Sequence, residues 1–285
     1  MQKPLDSVPA VPATSNLRIS FIGGGNMASA LIGGLAGKLT AAANLHVVEI
    51  NPQARARLQQ AGVRTSSAID AELAASDVIV LAVKPQQMRE VVAGLKPFMA
   101  HQVLISIAAG IRAVDLSRWL DGYGAIVRTM PNTPALIGKG ITGMVALGGV
   151  TAPQRVQADA IMRAVGSTVW LDDEALIDPV TALSGSGPAY VFYFIEAMQR
   201  AGEALGLTPA QASELSIATF VGASQLATEA SDPVSILRER VTSKGGTTHA
   251  ALVSLAESGV DEAIMRAVAA ASARGRALGE EFGRD

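Results

Sequence analysis

The 285-residue chain has no cysteine. That excludes a disulfide framework, a thiolate nucleophile and thiolate metal ligands. It also suits a reducing compartment, and the cytoplasm is the expected location. Histidine is scarce, with only His46, His101 and His249. No two of them have metal-ligand spacing, so no metal site is expected. Neither sign of charge dominates: 23 basic against 25 acidic residues leave a formal net charge of -2. A nucleic-acid surface would show a basic excess, so none is expected. Long hydrophobic runs are missing as well, although 49% of residues are hydrophobic. The longest clear run, Val78–Val83, is strand length and far short of the roughly 18 to 20 apolar residues of a membrane span. The apolar excess must therefore be buried in a soluble protein, and large subunit contacts are one way to hide it. The first sixteen residues contain Pro4, Pro9 and Pro12 but no basic stretch followed by an apolar core. They read as a flexible tail rather than a signal peptide.

What is present divides the chain in two. The first half alternates short β-rich runs with helix patterns. Strands are expected at Leu17–Gly23, Leu45–Ile50, Val78–Val83, Val103–Ile107 and Ala125–Met130, with Ile141–Leu147 and Thr168–Leu171 as added strands. Helices are expected at Asn26–Lys38 and, opened by proline, at Pro52–Ala61. Apolar runs of this length, alternating with helices, imply a mostly parallel sheet covered on both faces. After Asp172 the strand signals stop. Pro188–Leu205 is apolar on nearly every face and reads as a helix buried all round, its Met and aromatic residues from Tyr190 to Met198 belonging to a core. Thr208 caps a helix to about Ala230 with Pro209 at its first position. Asp232 and Pro233 start a short helix, and Val260–Phe282 is a final one. The expected layout is a tail over 1–16, an α/β domain over 17–172 and an all-α domain over 173–285.

Two stretches carry chemistry. The turn F-I-G-G-G-N-M-A contains Gly23-x-Gly25-x-x-Ala28. It follows an expected strand and opens an expected helix, the context that turns a weak motif into a dinucleotide-binding fingerprint of a doubly wound Rossmann domain. Gly23 makes the tight turn, Gly25 lets a pyrophosphate reach the main chain, and Ala28 allows close helix–strand contact, with Asn26 and Met27 between them. Glu49 ends the second strand, where an acid commonly binds the adenosine ribose hydroxyls of NAD. Asn51 and Arg55 follow and are suited instead to the 2′-phosphate of NADP, so the residues alone leave the cofactor form open. The second stretch is V-T-S-K-G-G-T-T-H at Val241–His249. Ser243, Gly245, Gly246, Thr247 and Thr248 lead into an expected helix, His249–Glu257. Unpaired N–H groups and the positive end of a helix, approached through paired glycines and flanked by hydroxyls, form a cup for a small carboxylate; an ordinary capped helix is the plainer reading.

Taken together, the motifs resemble one family, the pyrroline-5-carboxylate reductases. The resemblance runs from about Leu17 to the C-terminus. It is carried by I-G-G-G-N-M-A at 22–28, A-V-K-P at 82–85 and A-A-G at 108–110, then by M-P-N-T-P at 130–134, L-S-G-S-G-P-A-Y at 183–190 and V-T-S-K-G-G-T-T at 241–248. The chain departs from the family pattern at Lys244, where proline is common, and at Ala256. It also departs in a one-residue-longer segment before the loop, and near Ala68 and Ile69, where an asparagine is frequent.

The resemblance implies a Rossmann domain followed by an all-α domain that forms homodimers, which in this family often build rings such as decamers. It implies NADPH as cofactor, with NADH usable, and reduction of the cyclic imine 1-pyrroline-5-carboxylate to proline, the last step of proline biosynthesis. Thr248 is then the hydroxyl that meets the ring nitrogen, and Ser243, Gly245, Gly246 and Thr247 hold the carboxylate. Ala82, Val83, Lys84 and Pro85 touch the cofactor at a strand exit, unless Lys84 is merely solvated. Ala108, Ala109 and Gly110 line the nicotinamide. Asn132, placed with the substrate site, either pairs with the nicotinamide amide or orders its own turn. Two other readings stand beside this one: a hydroxyacid or 6-phosphogluconate-like dehydrogenase, and a non-catalytic dinucleotide-binding protein. The first is disfavoured because the helix expected at Pro188–Leu205 has no lysine.

Overall fold

The computed structural model describes residues 16–284. Of the tail expected over 1–16, all but Asn16 lies outside the described residues. The chain packs as two units: one runs to Gly185 and resumes at Ala271, the other is Ser186–Ala270.

The first unit is built on an eight-stranded sheet of β1 (Ile19–Ile22), β2 (Leu45–Val48), β3 (Arg64–Ser66), β4 (Val78–Leu81), β5 (Val103–Ser106), β6 (Ile126–Met130), β7 (Gly140–Ala146) and β8 (Gly166–Trp170). Its order is β3-β2-β1-β4-β5-β6-β7-β8. All pairs are parallel except β6–β7, which is antiparallel. The helices of this unit are α1 (Asn26–Leu35), α2 (Pro52–Gln60), α3 (Met88–Leu95), α4 (Ala113–Trp119), α5 (Ala152–Arg163) and α6 (Ile177–Val180). The period-2 alternation of strands sends neighbouring residues to opposite faces. Val78 and Val80 join one core with Ile19, Phe21 and Val47, while Ile79 and Leu81 join the other with Val48 and Leu104. Helix α1 covers the first face with Ala28, Leu31, Ile32 and Leu35, and α3 covers the second with Met88, Val92 and Leu95. Both sets follow helical spacing. Removing Phe21, fully buried, would cost about 3 to 5 kcal/mol.

Polar fasteners complete the unit. Buried Asp159 on α5 accepts hydrogen bonds from Arg163 Nε at 2.5 Å, Thr168 Oγ1 at 2.7 Å and Trp170 Nε1 at 2.9 Å, so one carboxylate ties α5 to β8. The Arg155 guanidinium lies 3.8 Å from the centroid of the Trp170 ring. Helix α5 opens with a reciprocal capping box between Thr151 and Gln154.

The second unit holds α7 (Gly187–Ala204), α8 (Pro209–Glu229), α9 (Val234–Arg240), α10 (Thr247–Glu257) and the first part of α11 (Val260–Gly283). Thr208 caps α8 through a capping box with Gln211. From residue 271, α11 belongs to the first unit, where Gly275, Gly279 and Gly283 recur every four residues. Each leaves room for a charged side chain against the helix: a Cβ there would stand 3.7 Å from Asp178, 2.9 Å from Arg112 and 2.6 Å from Asp115 respectively.

Several expectations change. The α/β packing extends past residue 172 to Gly185, because a short 3-10 helix at Glu174–Leu176, α6 and a π-helical turn at Thr181–Gly185 pack with the sheet unit. Strand β3 and helices α3, α4 and α5 join the elements read from the sequence. The expected core at Tyr190–Met198 is not a core of one chain: α7 has no buried residue, and Phe192 and Tyr193 are 61% and 66% exposed. One subunit has too few helices in this unit to enclose α7.

Candidate active site

A candidate dinucleotide site is built where β1, β2 and β4 end. Gly23 adopts φ +97°, and a Cβ there would lie 2.7 Å from Ala82 O, so only glycine fits this turn. Gly25 caps α1 with no side-chain cap, and a Cβ on it would meet nothing within 4 Å. No side chain therefore caps the start of α1, and no Cβ stands at Gly25, which leaves the helix end open to an anionic pyrophosphate. Ala28 is fully buried against the sheet. Gly23 and Gly25 line a hollow of about 430 Å³ together with Glu49, Ala82, Val83 and Lys84. Residues passed over in the sequence also line it: Ile50, Ser67, Gln87 and Val91, with Ala68 and Ile69, flagged above only as departures. Ser67, Ala68 and Ile69 follow β3, whose short Arg-Thr-Ser sequence has no apolar signal, while Ile50 follows β2 and Gln87 and Val91 follow β4.

The remaining cofactor candidates lie outside this hollow: Asn26, Met27, Ala28, Asn51, Arg55, Pro85, Ala108, Ala109 and Gly110 do not line it. Asn51 is occupied as the cap of α2, accepting from Gln53 N and Ala54 N. Arg55 Nη1 donates to Glu49 O at 2.7 Å and Ile50 O at 3.0 Å, which braces the loop after β2. Glu49 Oε2 accepts Gly24 N–H at 2.8 Å and its Oε1 accepts Asn51 N–H at 2.8 Å, so the carboxylate locks the glycine turn to the end of β2. Pro85 opens a short 3-10 helix after Lys84. Ala108–Gly110 leave β5; Gly110 has φ +73° and packs beneath Leu278 and Phe282 of α11.

Asn132 follows β6. Its Nδ2 donates to Ser184 O at 3.3 Å and its Oδ1 accepts Ile141 N–H at 3.0 Å. The first contact ties the residues after β6 to the π-helical turn, and the second ties them to the start of β7.

A separate candidate site, for a small anion, lies in the helical unit. Helix α10 starts at Thr247, two residues earlier than expected, so Thr247 and Thr248 are in its first turn rather than before it. Gly246 is the N-cap and no side chain caps it. Gly245 has φ +75°, which reverses the chain ahead of the helix. Ser243 folds over the turn: its carbonyl accepts Gly246 N–H at 3.0 Å, and a Cβ on Gly246 would stand 2.5 Å from Ser243 Oγ. The uncapped helix start, a glycine pair and three hydroxyls therefore sit within six residues. A separate hollow of about 390 Å³ is lined by Thr242 and His249 but not by Ser243 or Thr248.

Comparison with known proteins agrees with this arrangement. Residues 174–278 match the family model for pyrroline-5-carboxylate reductase dimerisation, and residues 18–110 match that for NADP oxidoreductase, coenzyme F420-dependent. The pyrroline-5-carboxylate reductase of Pseudomonas aeruginosa is 44% identical over 273 residues, covering 94% of this chain and 99% of that protein. That of Pisum sativum is 37% identical, covering 91% and 95%. Among solved structures, a pyrroline-5-carboxylate reductase from Coxiella burnetii superposes with a TM-score of 0.85 at 38% identity, covering 93% of this chain and 99% of that one. The Plasmodium falciparum pyrroline carboxylate reductase with NADP bound gives 0.82 at 31% identity over the same shares. A glycine turn at the end of β1, an uncapped α10 behind a Ser-Lys-Gly-Gly-Thr-Thr loop, and identity across nearly the whole length converge on one conclusion: the chain belongs to the pyrroline-5-carboxylate reductase family.

Proposed function

We propose that this protein reduces 1-pyrroline-5-carboxylate to proline with a reduced nicotinamide dinucleotide, the closing step of proline synthesis. The observation that carries the reading is the start of α10. There the N-cap is a glycine, no side chain occupies the helix end, and Ser243, Thr247 and Thr248 supply hydroxyls. Such an end accepts a small carboxylate.

A bound reduced nicotinamide supplies the hydride. The chain's own residues bind and orient. The first turn of α1 holds the pyrophosphate through main-chain N–H groups, with Gly23 and Gly25 keeping side chains out of the way. Ser243, Gly245, Gly246 and Thr247 hold the substrate carboxylate, and Thr248 hydrogen-bonds the ring nitrogen. A protonated imine is already electrophilic, so no strong general base is needed; orientation alone supplies several kcal/mol. The cofactor is assigned as NADPH with NADH as a substitute, a reading supported by the NADP-bound relative and opposed in part by Glu49. The helical unit forms a homodimer, assembled further into a ring such as a decamer, and the enzyme works in the cytoplasm. No helix among the described residues is long and apolar enough to cross a membrane.

The dehydrogenase reading is set aside. α7 carries no lysine, and relatives matching over more than nine-tenths of the chain are named pyrroline-5-carboxylate reductases. The test is direct: mix protein, NADPH and pyrroline-5-carboxylate and follow the absorbance of the reduced cofactor. Oxidation coupled to proline formation is the expected result. A correctly folded, dimeric protein that binds NADPH but leaves the imine untouched overturns the reading.

A further inference from the structure

The turns Ala108–Gly110 and Met130–Asn132 leave the ends of two adjacent strands, β5 and β6. One carboxylate stands behind both. Glu174 Oε1 accepts Ala113 N–H at 2.5 Å, at the start of α4 and three residues beyond Gly110. The same oxygen accepts Arg128 Nη1 at 3.0 Å. Arg128 lies on β6 two residues before Met130 and is only 3% exposed. Its Nη2 is 3.8 Å from Asp178 Oδ1 on α6, and its Nε has no partner among the described residues.

The connection continues past Asp178. Helix α6 passes into the π-helical turn Thr181–Gly185, whose Ser184 carbonyl accepts Asn132 Nδ2. Gly185 closes on Met130: a Cβ there would stand 2.5 Å from Met130 Cε. The path therefore runs from Glu174 through Arg128 on β6, Asp178, α6 and the π-turn, and returns to the residues that follow β6. Single π-turns within helices occur disproportionately at functional sites. All of these residues lie in the first unit.

Apolar packing holds elements together without fixing direction. Charge-assisted hydrogen bonds do fix it. A buried arginine hydrogen-bonded to a carboxylate that also takes a main-chain N–H, with a second carboxylate 3.8 Å away, ties β6 to the start of α4 in a defined direction. Hydride transfer is sensitive to such placement, since a shift of about 1 Å can cost about a hundredfold in rate.

We propose that Glu174 is a positioning residue for hydride transfer, acting through Ala113 N–H and Arg128 to fix the turns Ala108–Gly110 and Met130–Asn132. This rests on the reading in which those turns border the nicotinamide. The role differs from simple stabilisation because it predicts a loss in the chemical step rather than in cofactor binding.

The experiment uses the full chain as wild type, Glu174→Ala, Glu174→Gln and Arg128→Lys. Measured are kcat, KM for the imine, the primary isotope effect with 4-deuterated NADPH, the dissociation constant of NADPH, and the emission of the bound nicotinamide. For Glu174→Ala we expect kcat to fall about tenfold or more while the NADPH dissociation constant moves less than about threefold. The isotope effect should rise as transfer becomes limiting. Glu174→Gln still accepts Ala113 N–H and should recover kcat to within about threefold of wild type. Should Glu174→Ala fail to fold, Arg128→Lys carries the test, because an ammonium cannot span both carboxylates; a fall of about fivefold in kcat is expected. Unchanged kcat in folded Glu174→Ala or Arg128→Lys overturns the proposal, whatever happens to their melting temperatures. So does an equal loss in kcat and cofactor affinity. If the wild type binds NADPH but reduces no imine, the functional reading fails separately. Bound-nicotinamide emission then decides: altered emission in Glu174→Ala at an unchanged dissociation constant supports the positioning role, and unaltered emission overturns it.

Discussion

Glu49 reaches back from the end of β2 to accept the Gly24 amide at 2.8 Å. Its second oxygen accepts Asn51 N–H, so the carboxylate holds the glycine turn and the start of α2 in one arrangement. The charge also borders the hollow assigned to the cofactor. A 2′-phosphate about 5 Å from it would meet a repulsion of roughly 3 kcal/mol at an effective dielectric of 20, cut by solvent and salt to about 1 kcal/mol. Glu49→Gln should therefore raise the NADPH to NADH ratio of kcat/KM about fivefold. Arg55→Ala should lower it, since Arg55 brings a positive charge to this loop through its bonds to Glu49 O and Ile50 O. Steady-state kinetics with both cofactors measure the ratio; no movement beyond about twofold in either variant means the adenosine end is read by other residues.

Thr248 stands in the first turn of α10, behind the uncapped Gly246. A hydroxyl there that bonds the imine nitrogen gives about 1.5 to 3 kcal/mol to a charged transition state. Thr248→Ala should lower kcat by about ten- to a hundredfold and leave the NADPH dissociation constant nearly unchanged. Wild-type turnover in this variant would remove Thr248 from the chemistry.

The helical unit exposes large apolar side chains that a solvated protein does not leave in groups: Phe192 at 61%, Tyr193 at 66%, Val221 at 65% and Leu226 at 66%. A groove of about 780 Å³ is lined by Tyr190, Tyr193, Phe194, Met198 and Ile264. A second copy of the chain is the expected cover. Sedimentation of dilute protein should find dimers or larger assemblies, and Phe192→Glu should shift the equilibrium toward monomer. An active wild-type monomer at nanomolar concentration would contradict this.

His46 gives the fold a pH dependence. It is buried on β2, with Nδ1 3.1 Å from Ser20 Oγ and Nε2 2.7 Å from Ser66 Oγ. Burial lowers its pKa from the ordinary 6.5, against the opposing pull of Glu72 and Asp70. Below pH 6.5 the unfolded chain binds a proton that the folded chain resists. The contribution of neutral His46 is therefore complete above that pH and is lost as the pH falls toward the folded-state pKa. Denaturant midpoints should drop between pH 7 and about pH 5, and His46→Gln should flatten that slope. Equal slopes in the two proteins would place the dependence elsewhere.

The residue order alone determined what depends on near neighbours. The alternation in Val78–Leu81 assigns its side chains to two faces whatever surrounds it, and the Gly23 turn, Pro52 and Thr208 mark element starts by their own backbone preferences. The Ser243–Thr248 loop was legible for the same reason, although α10 begins within it. Tertiary structure decided what depends on distant partners. Glu49 meets Gly24 across 25 residues, Arg128 meets Glu174 across 46, and Asn132 meets Ser184 across 52. No local pattern announces such pairings, because the same side chains are equally at home in solvent. The reversal of β7 against β6, the packing of Arg112 and Asp115 against Gly279 and Gly283, and the exposure of α7 in a single chain follow from which surfaces the finished sheet and helices leave available. Short-range conformational preference writes elements into the sequence; the contacts of Glu49, Glu174 and Asn132 arise only once the fold has brought their distant partners beside them.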